Sequence, residues 1–523
     1  MQKLMIRLLR VSSLGAAFLS QLSIANAAEI GVNAVQNFGT CANHLPNTVA
    51  DAAGFLDHRP GDLTANYFFA DDNVWQQDWT TADYTSSGDT ATGFAGADSS
   101  MLTYLATHGD SSGGIYYGSL SQAQGCSFNN SNMSLGDAKN RYLFLSTCYG
   151  LMLGNGQYLP EHPAHSAEDL QQTWDKGLVG TRCIFSYGTV SLDSADYGKL
   201  FWEKWNQAGV TNANAFLNAS WAVSTRQQPV VMCFGRDLND ANGKLDETVF
   251  SYDASSYGYN AWTWYDPVAF RAGPDASLRR ADVPRRIRFT RATADDAALA
   301  FPALPRRAAR KTSSFASDRQ ASPLDGENVL VTTRGWRYVK PDRDFGDPRP
   351  RSVLITDDDA IRIAQASLNQ LRLQGTDGNL KVAYVRQQKA ADSVHPQPTV
   401  INRMVAFEQD VVNGYSMLGS DGKLFVSVDA AGEVREIEDT RIKSVATADR
   451  TRDAGITVAA DEAEKALMAL ARKRWPGAKI LAAPLETGYL ADGENTARLV
   501  ARLAFTATQG NFSKADEVTL PLQ

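Results

Sequence analysis

Several residue types are scarce in this sequence, and each shortage removes a class of function. Histidine occurs six times in 523 residues, and no His-Glu-x-x-His run is present. That excludes the zinc-peptidase helix, which needs two imidazoles one turn apart. Basic residues do not outnumber acidic ones: 51 Lys and Arg face 58 Asp and Glu, a formal net charge of −7. An acidic chain is poorly made to follow a phosphate backbone, so no nucleic-acid partner is expected. Beyond residue 27 no apolar stretch is long enough for a bilayer, so no membrane span is expected. Cysteine is absent after Cys233, and no cysteine follows residue 27 directly, which leaves no lipid-anchor site there.

The residues that are present begin with a leader. Lys3, Arg7 and Arg10 precede a mostly apolar stretch from Val11 to Ile24, and Ala25-Asn26-Ala27 supplies a small-x-small cleavage pattern. Residues 1–27 read as a signal peptide, with the mature chain exported to a periplasm or secreted. The five cysteines, Cys41, Cys126, Cys148, Cys183 and Cys233, all follow it. In an oxidising compartment an odd count leaves at least one thiol free or paired between chains.

The length implies two or three domains. Residues 28–270 alternate short apolar runs with helical periods. Strands are expected at Glu29 to Phe38, Met101 to Thr107, Arg141 to Thr147, Leu178 to Tyr187 and Pro229 to Phe234. Helices are expected at Leu45 to Leu56, Tyr197 to Ala208 and Asn212 to Thr225. Continuous apolar strands with long helical connections predict an α/β domain with a mostly parallel sheet covered on both faces. Residues 271–325 change character: 271–320 hold twelve basic and five acidic side chains, and read as a basic Arg/Pro/Ala-rich linker. Residues 326–523 read as α+β, with helices at Asp358 to Leu371 and Asp461 to Arg474, and strands at Val400 to Asp410, Leu424 to Asp429, Lys479 to Leu481 and Arg498 to Thr506.

One pair of residues could carry chemistry. His108-Gly109 follows one apolar strand and Cys148 follows another, so both are expected at carboxyl ends of strands, where open α/β sheets bind ligands. A thiolate is a nucleophile, and an imidazole beside it can activate it or protonate a leaving amine. The N–H groups of Gly109 and Cys148 would suit an oxyanion hole.

An apolar strand ending in His-Gly, followed about forty residues later by one ending in Cys, resembles the caspase-like fold of legumain, gingipain and the metacaspases. Residues 30–240 are further similar to an uncharacterised family of exported bacterial proteins. The segments that carry this are Asn73-Val-Trp75-Gln-Gln-Asp78-Trp79, 101–109, 141–150, Gly180-Thr-Arg182 and Asp196-Tyr-Gly198 with Phe201-Trp202. The resemblance implies a three-layer α/β sandwich with His108 and Cys148 as a catalytic dyad acting on a protein or peptide substrate. It implies a substrate pocket around Ser186 and Tyr187 and the loop bearing Asp193 and Asp196, whose carboxylates would favour Lys or Arg. The chain departs from the pattern at Ser146 and Thr147, where Gln-Ala or Glu-Ala is common, and the alternative is a non-catalytic peptidase-binding or inhibitory protein.

Two further features stand outside the dyad. Asp237, Asn239, Asp240, Asn242 and Asp246 approximate a calcium loop of the Asp-x-Asn-x-Asp-Gly kind with one extra residue. No cofactor is required by the dyad, so calcium is the single metal expectation. The segments 407–414 and 424–432 are similar to propeptide modules of thermolysin-type proteases, and 459–510 resembles a PepSY module. Such modules inhibit or chaperone peptidases, which implies contact of the tail with the first domain.

Overall fold

The computed structural model describes residues 28–81, 84, 96–118, 125–152, 174, 178–207, 209–268, 283–300, 328–332, 334–340, 355–373, 380–412, 414–447, 460–509 and 512–522. The expected leader at 1–27 lies outside them, as does His162-Pro-Ala-His165, whose two histidines read from the sequence as part of a surface loop. The amino-terminal half contributes β1 (Ala28–Ala34), β2 (Leu63–Ala70), β3 (Leu102–Ala106), a hairpin of β4 (Gly114–Tyr116) and β5 (Ser127–Asn129), β6 (Tyr142–Ser146), β7 (Cys183–Tyr187), β8 (Pro229–Gly235) and β9 (Tyr259–Tyr265). Its helices are α1 (Thr48–Asp57), α2 (Tyr197–Trp205), α3 (Asn212–Val223) and α4 (Leu238–Leu245). The carboxyl-terminal half contributes β10 (Arg286–Arg291), α5 (Ala294–Ala300), β11 (Asn328–Thr332), β12 (Gly335–Val339), α6 (Asp357–Gln370), β13 (Leu380–Asp392) and β14 (Thr399–Gln409). It continues with β15 (Lys423–Asp429), β16 (Val434–Asp439), β17 (Ile442–Thr447), α7 (Ala460–Arg474), β18 (Lys479–Ala482), β19 (Glu486–Gly493), β20 (Thr496–Gln509) and β21 (Phe512–Pro521).

Thirteen of these strands form one sheet in the order β11-β12-β16-β15-β14-β13-β9-β8-β7-β6-β3-β1-β2. From β2 to β7 neighbouring strands are parallel. From β7 to β11 every neighbouring pair is antiparallel. This overturns the expected mostly parallel, caspase-like three-layer sandwich: the sheet is mixed, mostly antiparallel, and runs unbroken from one half of the chain into the other. For β13 to β16 the physical reason is connection length. Consecutive strands β13 to β16 are joined by hairpin connections, as at Asp429–Val434 with Gly432 at φ +84°, and a short connection cannot return a strand in parallel.

The expectation of a basic linker is also corrected in part. Arg286–Arg291 lies within 271–325 but forms a strand, because Ile287 and Phe289 alternate with arginines and are buried while Arg286 and Arg288 face outward. β10 joins a second, six-stranded sheet built around β20, which pairs β10, β18, β19 and β21.

The parallel strands are covered on both faces, but by different parts of the chain. On one face Phe55 of α1, Trp202 of α2 and Phe216 of α3 pack on Phe144 and Phe185, whose rings stack at 4.2 Å. On the other, Leu143, Leu145 and Ile184 share a core with Ala463, Leu467 and Ala471 of α7 and Leu503 and Phe505 of β20. The carboxyl-terminal helix and second sheet therefore supply one of the layers. Tryptophans 79, 202, 205, 262 and 264 are all buried in these cores, as packing residues.

Candidate functional site

Register places the two strand ends at one edge of the sheet. β3 and β6 are in parallel register with Ala106 opposite Ser146, and the ladder continues as Thr107 N–H donates to the Ser146 carbonyl at 3.3 Å. Two residues on, His108 and Cys148 follow at the same carboxyl edge, the imidazole bonded to Asn43 and the thiol to Ser191. Gly109 comes next, in close contact with the Cys148 backbone: a Cβ there would lie 2.3 Å from the Cys148 carbonyl oxygen. Glycine is required at 109 by this approach.

Each partner is tightly held. His108 Nε2 lies 2.8 Å from the Asn43 carbonyl; a carbonyl can only accept, so Nε2 carries the proton. Phe38 lies against the ring at 4.7 Å, and Tyr116 and Trp475 present edges at 6.2 and 6.4 Å. Burial, reinforced by the Lys514 cation and opposed by the Asn43 bond, lowers the imidazole pKa to about 3, so His108 is neutral here. The Cys41–Cys126 disulfide ties the segment bearing Asn43 to the hairpin behind the ring.

Cys148 is the free cysteine, the others being joined as Cys41–Cys126 and Cys183–Cys233. Its buried Sγ accepts from the Ser191 N–H at 3.3 Å and lies 3.7 Å from the Ser191 hydroxyl. Tyr149, directly after it, has φ +58°, a left-handed conformation that a bulky residue rarely adopts and that clusters at functional sites.

The expected pocket residues do not act together. Asp193 is buried, its carboxylate and carbonyl both accept from the Asn47 amide, and burial raises its pKa. Asp196 is exposed at the start of α2. Ser186 donates to the Leu145 carbonyl at 2.9 Å, and the Tyr187 hydroxyl meets Ser220 of α3 at 3.0 Å, so both are engaged in the core. The residue at the thiol is instead Ser191, whose hydroxyl accepts from Lys514 Nζ at 2.9 Å. Asp51, buried under the same edge, accepts from Tyr104, Ser146 and the Gly198 N–H, and desolvation raises its pKa to about 7 against those bonds. Ser191, Asn43, Trp475 and Lys514 carry no readable motif, and 513–520 (SKADEVTL) lacks the apolar alternation that would have announced β21.

The calcium-loop expectation is corrected. Asp237 caps α4 by accepting from the Asp240 N–H, the Asp240 carboxylate accepts from the Arg236 N–H and Lys244 Nζ, and the Asn242 amide donates to the Leu238 carbonyl. Asn239 lies within the helix and Asp246 comes directly after it. These groups spend their hydrogen bonds on a helix rather than enclosing a loop. Among the described residues no three His, Cys, Asp or Glu side chains converge as metal ligands, and no helix is long and apolar enough to cross a membrane.

Residues 32–253 match the model of a family described as a domain of unknown function, DUF6345. That agrees with the expected likeness of 30–240 to an uncharacterised family. No curated protein matches the chain. Among solved structures, the Bacillus megaterium YpeB C-terminal domain is 16% identical, with 36% of this chain and 76% of that one covered, at a TM-score of 0.19. An uncharacterised protein from Eubacterium rectale ATCC 33656 is 11% identical, covering 51% and 72%, at a TM-score of 0.21. At these scores neither likeness bears on the fold or the site, and neither description is caspase-like. The His108–Cys148 edge lies inside the DUF6345 segment, whereas Trp475 and Lys514 lie outside it.

Proposed function

We propose that the protein is an exported, latent thiol hydrolase acting on peptides, with Cys148 as nucleophile and His108 as acid and base. The observation that carries this reading is the register of β3 and β6, which puts the residues bearing imidazole and thiol at adjacent strand ends. Cys148 Sγ would attack a substrate carbonyl carbon as its proton passes to the His108 ring. The C–N bond then breaks, the ring proton goes to the leaving amine, and water hydrolyses the thioester. The left-handed Tyr149 and the close Gly109 backbone favour the same edge. Two disulfides beside one free thiol suit an oxidising compartment and support export.

With His108 and Cys148 both buried, this form is closed to substrate. The test is cleavage of a peptide library by the full chain and by a full chain carrying Lys514→Ala. Product that disappears with Cys148→Ala supports the reading. No product from either chain, while the Cys148 thiol of the second is open to alkylation, overturns it in favour of a peptide-binding protein.

A further inference from the structure

β21 is hydrogen-bonded along one edge to β20. Its other edge meets the loop that holds the Cys148 thiol. Ala515 N–H donates to the Ser191 carbonyl and Asp193 N–H donates to the Ala515 carbonyl, both at 3.2 Å, a parallel bridge between Leu192 and Ala515. Residues alternate across a strand, so Lys514 and Asp516 project to the same side. Both are buried, at 2% and 3% exposure. Lys514 Nζ reaches the Ser191 hydroxyl, 3.7 Å from which lies Cys148 Sγ. Asp51 and Asp193 are both within electrostatic reach of that ammonium. Asp516 accepts from Trp475 Nε1 at 2.8 Å and pairs with Arg474 Nε at 2.7 Å, which fixes the Trp475 ring edge-on to His108. Lysine is almost never fully buried unless paired, and this one is placed among carboxylates at the candidate nucleophile.

The geometry points to a strand-binding groove along residues 191–193 whose ligand is an extended peptide carrying lysine or arginine, and whose present occupant is the protein's own β21 with Lys514 inserted. Backbone bonds to a free edge supply affinity and the pocket for an alternate side chain supplies selectivity, as in other recognition by strand addition. The inference rests on the reading of Cys148 and His108 as a reactive pair, and adds how that pair is kept silent: the same strand that fills the groove brings Asp516, and through it Trp475, down on the imidazole. A competing peptide, or loss of the β21 contact, would open both residues together.

Because Cys148 is the free thiol, alkylation of the disulfide-intact full chain by iodoacetamide reads the groove without requiring cleavage. The wild type should react slowly. Lys514→Ala and Ala515→Pro should each speed alkylation about tenfold or more, as expected when a closed segment opens locally. Both polar groups of Ala515 face the loop rather than β20, so proline there removes the Ser191 contact and spares the β20 ladder. A synthetic peptide of residues 512–521 should slow alkylation of the Lys514→Ala chain again, and the same peptide with glutamate for lysine should not. Wild-type alkylation rates in both variants, with native circular dichroism, would overturn the proposal, and so would equal protection by the two peptides. Should Ala515→Pro fail to fold, Lys514→Ala and the peptide pair decide. Faster alkylation without cleavage of any Lys- or Arg-containing peptide keeps the groove and overturns the hydrolase; cleavage by the wild type with unchanged alkylation does the reverse.

Discussion

β3, β6 and β7 are five residues long and buried at every position, whereas β13 and β14 run to thirteen and eleven residues and are partly exposed along much of their length. Both sets belong to one sheet. The parallel strands lie between α1 to α3 on one face and α7 with the second sheet on the other. The antiparallel strands pack α6 against one face, through Ala360, Ala364 and Leu368. The difference has a functional consequence. Parallel strands all end on the same edge, so the residues just past their ends, His108, Gly109 and Cys148, collect there. Antiparallel strands alternate direction and scatter such residues to opposite edges. One half of the sheet can gather a site; the other provides a frame from which the covering layer is hung.

The two halves are set against each other most directly at the core. Phe144→Ala empties the stack with Phe185 in the parallel half and should cost about 3–5 kcal/mol in urea unfolding. Val426 of β15 is fully buried in the antiparallel half, and Val426→Ala should cost about 1.5–3 kcal/mol. Since β9 pairs β13 across the halves, both substitutions should move the same transition. Two transitions, each shifted by one variant alone, would show that the continuous sheet is not one cooperative unit.

A pH titration reaches the site that only the parallel half holds. His108 has a folded pKa of about 3 against an ordinary 6.5, so below pH 6.5 the unfolded chain takes up a proton that the folded chain refuses. Its contribution to stability is therefore present above pH 6.5 and falls, by about 1.4 kcal/mol per pH unit, as pH drops toward 3. His108→Gln should remove that slope, and a stability difference between the two chains that stays constant from pH 6.5 to 4 would show that the imidazole is not sealed. The smallest effect is expected at the helix on the antiparallel half. Thr356 caps α6 by accepting from the Asp359 N–H at 3.1 Å, and Thr356→Ala should cost about 1 kcal/mol. A cost near zero would mean that α6 contributes little to holding its side of the sheet.

Much of the parallel half was legible because full burial writes itself as an uninterrupted apolar run. MLTYLAT and RYLFLST became β3 and β6 within a residue at each end, and the helices at 197–208 and 212–225 lost two or three residues at their ends. The strands that went unread, β2, β9, β12 and β13 among them, are rich in polar residues or tryptophan at positions whose burial depends on a distant partner. Arg337 and Arg386 are buried within β12 and β13, Arg337 against Glu436 and Arg386 over the rings of Trp221 and Tyr265. No local pattern announces a buried arginine.

The sequence by itself determined where β3 and β6 end and which residues come after them, because strand boundaries are local matters of apolar run and glycine. It determined the odd thiol by parity. The tertiary structure alone decided which cysteine was odd, that the sheet turns antiparallel after β7, and that the site is covered from more than three hundred residues away by Lys514 and Trp475. Those outcomes depend on pairing between segments far apart in the chain, and a lysine that will be buried against Ser191 looks, in sequence, like any lysine at the surface.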